Sequence, residues 1–347
     1  MRARWTGAFQ IAAVYVGTVV GAGFATGREI AEFFTKYGFL GFLGILIAGY
    51  IFIYTGSKMM ILSARAQART YEEFNRFLFG RKLAPFVNVF FLVMLLGVTA
   101  VMISGAGAVF EEQLGLSRLI GVTVTIIAAS VILMLGLKGL FLVNSFVVPI
   151  MVFFSVMLCV LTLADGSIQP SMLFMPSTVS MDAVFSPFAY AAFNLALAQA
   201  ILIPVAYEVK DEKVIREGAV LGGLFLTLIL LAGHISLLAL PNVLTYEIPT
   251  AELMKKAASG LYWVFILVIY CEIFTSVIGN IFGLQKQINS YIKLPNLLVT
   301  LLICTLSVII GQFEYGALLS YLYPIFGYIS LLFLFLIWLA KLNKPMH

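Results

Sequence analysis

The chain has 347 residues, 62% of them hydrophobic and only 11% charged, with a formal net charge of +5. Soluble domains carry about 25% charged residues, so the composition excludes a soluble globular protein and indicates an all-α, multi-pass membrane protein. A span needs about 20 mostly apolar residues, and ten are predicted, at 8–33, 39–63, 84–110, 119–137, 140–164, 184–207, 215–240, 260–285, 295–312 and 316–340. No stretch between them is long enough for a soluble domain, so residues 1–347 are read as one transmembrane domain.

The first span contains Val19-Val20-Gly21-Ala22-Gly23-Phe24-Ala25-Thr26-Gly27-Arg28-Glu29. Glycines at 17, 21, 23 and 27, followed by an Arg-Glu pair, weaken a helix near the middle of a membrane. An unpaired backbone group in hydrocarbon costs several kcal/mol, so a broken helix survives there only inside protein or along a cavity. The alternative is a close packing face, because Gly17 and Gly21 have small-xxx-small spacing. After the second span, charges from Arg65 to Lys82 surround Tyr71, Phe74, Phe77, Leu78 and Phe79. They suggest either a short amphipathic helix on the cytoplasmic surface or a solvated connector.

Asp165 to Asp182, with Pro170 and Pro176, reads as an outer loop. The sixth span places Asn194 and Gln199 deep in hydrocarbon, and Pro204 removes an N–H and disturbs the carbonyl of Ala200. That predicts a second break. His234 stands alone in the seventh span, and Pro241 to Ser259 is a second outer segment, in which Thr250 suits the cap of a short helix over an external vestibule. In the eighth span Glu272, Thr275 or Ser276, and Gly279 share one helical face. Cys159, Cys271 and Cys304 all fall within spans as small apolar residues, and no Cys or His spacing suggests a metal centre.

Ten spans divide into five and five, giving repeats at about 8–164 and 184–340. The first span of each half then crosses in opposite directions, so the halves are inverted repeats. Matching interruptions in spans one and six are the sequence mark of a transporter site. A broken helix offers unpaired amides to a carboxylate and unpaired carbonyls to a small cation. The amides of Ala22, Gly23 and Phe24 are candidates for the first role, and the carbonyls of Gly17 to Val20 for the second. Glu272 is a costly intramembrane carboxylate and hence a site candidate, as a cation ligand, a proton carrier or the partner of a basic group. Arg28 is spaced to pair with Glu32.

At these residues the chain resembles the amino acid–polyamine–organocation superfamily, with the inverted-repeat fold of the bacterial leucine transporter. More narrowly, Gly21-Ala22-Gly23-Phe24-Ala25-Thr26-Gly27-Arg28-Glu29-Ile30 resembles the YkvI-like membrane proteins. Val20-Gly21-Ala22-Gly23 is similar to the leucine transporter's unwound first helix, and Tyr207-Glu208-Val209-Lys210-Asp211 to the end of its sixth. That puts the second break near Phe193 to Ala200. Phe274-Thr275-Ser276 is similar to its eighth helix, where paired hydroxyls bind sodium. The resemblance therefore implies a sodium site of Gly17, Val20, Glu272, Thr275 and Ser276, the first three through backbone carbonyls. It implies a solute site of Val20, Gly21, Ala22, Gly23, Phe24, Phe193, Asn194, Ala196 and Gln199, with Ser104 the nearest polar residue of span three. Span three has no tyrosine for a solute carboxylate, and Phe24 stands where the leucine transporter's other sodium site has an asparagine.

The expectation is a cation-coupled secondary transporter of a small organic solute, an amino acid or another small carboxylate, working by alternating access. Spans one and six would move against three, four, eight and nine. Sodium is the expected coupling ion, with a proton on Glu272 as the other choice, and no further cofactor, nucleic-acid partner or enzymatic activity is expected. The alternative is a membrane receptor subunit that senses a small molecule without moving it, since the superfamily includes spore germinant receptors.

Placing both termini inside puts 16 of the 21 Lys and Arg residues at the inner ends, leaving Arg28, Lys36, Arg118, Lys255 and Lys256 outside. A cell-membrane protein with cytoplasmic termini is expected. In a Cys-free variant, a cysteine at Asn242 should label from outside and one at Asn75 from inside; the opposite pattern would reverse the orientation.

Overall fold

The computed structural model describes residues 2–166, 168, 174, 179–246, 248–312 and 315–341. Most of the predicted loop Asp165 to Asp182 lies outside them. Every described regular element is helical. Seven helical segments are long and apolar enough to cross a membrane, and three shorter apolar helices, Thr6–Val19, Arg118–Leu133 and Asn296–Ile310, accompany them.

Span one is interrupted twice. Helix α1 (Arg2–Val19) ends where Val20 and Gly21 leave the helical path, α2 (Ala22–Ala25) makes one turn, and α3 (Arg28–Phe33) follows. Gly27 sits between α2 and α3 at φ 79°, a conformation that costs glycine little and an L side chain more. Span two is α4 (Phe39–Ile51), a π-helical turn (Phe52–Gly56) and α5 (Ser57–Arg65). The turn's first carbonyl, on Phe52, accepts the hydroxyl of Tyr15 from α1 at 2.9 Å.

Helix α6 (Tyr71–Ala108) bends at Gly80, φ 72° and ψ 172°, which separates the surface piece 71–79 from the third span. That piece docks on the end of α12 (Tyr262–Tyr291) through Glu72, which accepts from Ser290 at 2.8 Å and from Gln287 at 3.3 Å. Asn75 is buried, with its Nδ2 donating to Asn88 at 2.9 Å. The labelling position on this face therefore moves to the exposed Arg76.

The remaining helices are α7 (Arg118–Leu133), α8 (Leu137–Asp165), α9 (Met181–Val209), α10 (Glu212–Leu237), α11 (Pro249–Ala257), α12 (Tyr262–Tyr291), α13 (Asn296–Ile310) and α14 (Tyr315–Leu339). Helix α9 is continuous, which corrects the expected break in span six. Six alanines between 189 and 200, strong helix formers, and no glycine in the helix outweigh the prolines. Asn194 folds its amide back onto the Tyr190 carbonyl at 3.0 Å, so a polar side chain there opens nothing.

Helix α9 lies at the centre, with 94% of its apolar window buried, against α14, α4, α5, α1 and α12. Helix α1 packs on α10, where Gly218 and Gly222 leave room for Ile11 and Tyr15. Helices α7 and α13 turn rows of apolar side chains outward, among them Leu119, Ile127 and Val131, and Leu301 and Ile309, as a lipid-facing surface requires.

Candidate functional site

Low helix propensity at Val19-Val20-Gly21 and the glycines that follow end α1 early. Ending a helix releases its last carbonyls, and the side chains of α12 meet two of them. Ser276 Oγ donates to Val20 O at 2.8 Å, and Thr275 Oγ1 reaches Glu272 O at 2.8 Å and Gly17 O at 3.4 Å. Five neutral oxygens, the carbonyls of Gly17, Val20 and Glu272 and the hydroxyls of Thr275 and Ser276, thus converge across the α1–α12 contact. The structure brings together all five residues that the sequence singled out for a cation.

Asn144 on α8 is a neighbour that the sequence reading missed. It is buried, its Nδ2 donates to Leu140 O at 2.9 Å, and its Oδ1 has no hydrogen-bond partner among the described residues. That oxygen abuts Gly17 so closely that a Cβ at position 17 would overlap it. Gly17 therefore serves close packing and the opening of the helix at once, so the two readings of the glycine run coexist. An asparagine inside a predicted span was the available signal.

The candidate solute residues divide. Gly21 faces Met102 of α6, whose Cε would lie 2.9 Å from a Cβ there, and Ser276, at 3.5 Å. The amides of Ala22, Gly23 and Phe24 occupy the first turn of α2 and have no preceding helical turn to pair with. Because α2 is a single turn, what they offer an anion is local N–H groups rather than a long helix dipole. Phe193 packs its ring on Tyr323 of α14, centroids 4.5 Å apart. Asn194 donates to Glu29 of α3 at 3.4 Å, linking α9 to α3. Ala196 and Gln199 are buried on α9, and the Gln199 amide has no partner among the described residues.

Ser104 is a correction. It lies about 200° around α6 from Met102, so it faces away from the opening. Arg118 of α7 donates to Ser104 Oγ and, at 3.2 Å, to Gly311 O. A second correction concerns Arg28, which donates to the carbonyls of Leu244 and Tyr246, the latter at 2.9 Å, while Glu32 pairs with Lys36 at 2.6 Å. The main-chain acceptors are exposed by the turn at Asn242–Thr245 and outcompete the carboxylate one turn away.

Leu244, Tyr246 and α11 strap the α2–α3 part of span one. Thr250 Oγ1 donates to Ala25 O at 2.9 Å and Thr250 N to Thr26 O at 3.1 Å, while Ser186 of α9 donates to Phe33 O at 2.6 Å.

Solved structures share the fold of this chain. The TM-score is 0.70 with MhsT in complex with L-phenylalanine, at 16% identity over 96% of this chain and 89% of that one. It is 0.68 with a mutant of the Eremococcus coleocola manganese transporter, at 16% identity over 96% and 78%. It is 0.59 with Mhp1, a nucleobase-cation-symport-1 family transporter with bromovinylhydantoin bound, at 11% identity over 91% and 74%. The fold is that of membrane transporters. No established protein-family model matches the chain. It is 47% identical over 330 residues to the membrane protein YkvI of Bacillus subtilis strain 168, 94% of each chain, and 24% identical over 336 residues to YyaD of the same organism, 94% and 95%. The chain belongs to the YkvI family of membrane proteins.

The Gly17–Asn144 contact is directly testable. Overpacking costs about 1–3 kcal/mol, so Gly17→Ala should lower the melting temperature of the purified protein. Asn144→Ala, which removes the obstructing amide, should restore part of the loss in the double variant. Simple additivity of the two substitutions would show that the contact is not what constrains Gly17.

Proposed function

We propose that this protein is a cation-coupled secondary transporter of a small carboxylate-bearing solute, with an amino acid the leading class. The observation that carries the reading is the group of five oxygens spanning the opening of helix 1. Neutral carbonyl and hydroxyl oxygens suit a small monovalent cation, and sodium is the ion that such helix openings coordinate in secondary transporters. Ten spans in two inverted sets of five, with cytoplasmic termini, complete the proposal.

Sodium in the group would replace the hydrogen bonds that Thr275 and Ser276 now make. It would hold α1 against α12 and fix the path of Val20 and Gly21, and with it the amides of Ala22, Gly23 and Phe24 that meet the solute carboxylate. Because the solute amides follow directly on the Val20 carbonyl along one opened stretch of backbone, each ligand orders the other's site. By linkage, the solute must strengthen sodium binding by the factor by which sodium strengthens solute binding. Access alternates when the strap from Leu244 to Thr250 releases the outer part of span one. MhsT with its bound L-phenylalanine makes an amino acid the first solute to try.

Sodium should raise the melting temperature of the purified protein, and Thr275→Ala with Ser276→Ala should abolish that rise while leaving folded protein. In sealed vesicles the same double variant should lose sodium-driven accumulation of the solute. Full accumulation in sodium-free buffer under a pH gradient, indifferent to the double alanine, would sink sodium coupling. Saturable binding with no accumulation under either gradient would favour the receptor reading.

A further inference from the structure

A second opening lies beside the five oxygens and is separate from them. It is a cavity of about 30 Å³, lined from α2 and α3 by Phe24, Ala25 and Ile30 and otherwise by α8, α10, α11 and α12. One water needs roughly 10–15 Å³ of such space, so the cavity holds one or two occupants of that size. Glu272 lines it, fully buried, and both carboxylate oxygens lack a hydrogen-bond partner among the described residues. One residue thus gives its backbone carbonyl to the first opening and its side chain to the second.

The other polar side chains of the lining are hydroxyls: Ser155 on α8, Ser236 on α10 and Thr250 on α11. Ser236 donates its hydrogen to Ala232 O at 2.8 Å, and Thr250 donates to Ala25 O at 2.9 Å. With those hydrogens committed, both hydroxyls offer the cavity lone pairs alone. No Lys, Arg or His lines the space. A buried carboxylate facing acceptor oxygens is unfavourable when nothing sits between them. The same set, one anionic and several neutral hard oxygens around a water-sized space, is favourable for a small cation.

We infer that this cavity is a second sodium site, formed by the Glu272 carboxylate with the hydroxyl oxygens of Ser236 and Thr250. The inference rests on the reading of the protein as cation-coupled and adds its stoichiometry, two ions rather than one. It also gives Thr250 a role beyond the strap: an ion bound there ties α11 to α10 and α12 across the outer part of span one.

Equilibrium binding of ²²Na⁺ to the purified full-length protein tests this. Wild type should bind two ions, and Glu272→Gln, of nearly unchanged shape, should bind one. Ser236→Ala, a milder change, should keep both but weaken one by about tenfold. Thr275→Ala with Ser276→Ala should retain one, and combining it with Glu272→Gln should leave none. A wild-type stoichiometry of one overturns the inference, as does an unchanged stoichiometry in monodisperse Glu272→Gln. Loss of both ions in that variant also overturns it, since the two openings would then be a single site. So does removal only of the pH dependence of uptake, which would make the occupant a proton. Two ions retained by the double alanine but one lost in Glu272→Gln would refute the five-oxygen site and leave the Glu272 site standing.

Discussion

A backbone that opens inside a membrane must have its carbonyls answered by protein, because lipid offers nothing to bond them. Here the opening at Val20–Gly21 is answered by hydroxyls of α12, and much else follows. Helix α12 has to lie against α1 with Thr275 and Ser276 facing it. Helix α8 has to come close enough for Asn144 to touch Gly17. Helix α10 must support the intact part of α1, which Gly218 and Gly222 allow by letting the two helices approach. The glycines are therefore distributed over both sides of the contact: some open the chain, and others let its neighbours near it.

A second constraint comes from carboxylates. Glu29 and Glu272 are both buried, and burial of charge is expensive unless something compensates it. Glu29 has Asn194 at 3.4 Å. Glu272 lines the cavity, and its carboxylate has no hydrogen-bond partner among the described residues. The contrast separates a carboxylate used to join two helices from one that faces space.

Much of this was legible in the sequence for physical reasons that can be named. Gly17, Gly21, Gly23 and Gly27 lower helix propensity within about three turns of one another, and a chain cannot hide that. Thr275-Ser276 beside Glu272 placed three oxygen-bearing residues on one face of α12. The sequence reading failed where a residue's effect depends on what surrounds it. Pro204 and two amides suggested a break in α9, but alanines and protein on every side keep the helix closed. Ser104 was nearest in sequence to the position of interest, and the turn of a helix points it the other way. Arg28 had a carboxylate four residues on, yet carbonyls more than two hundred residues away hold it. Asn144 carried no local signal of its partner, because closeness to Gly17 is a property of how α8 crosses α1.

The continuity of α9 also has a mechanical meaning. Its 29 residues make one helix about 44 Å long at 1.5 Å per residue, with Pro187 and Pro204 inside it but no interruption of the helical path. Span one, by contrast, is jointed at Val20–Gly21 and again at Thr26–Gly27. Asn194, near the midpoint of α9, is bonded to the α3 piece of the jointed span, and Ser186 grips the same piece nearer the end of α9. A displacement of α3 therefore has to break these two ties or carry α9 with it. Span one thus carries the joints and α9 the fixed points, so the two ties, rather than a bend in α9, set where α3 lies.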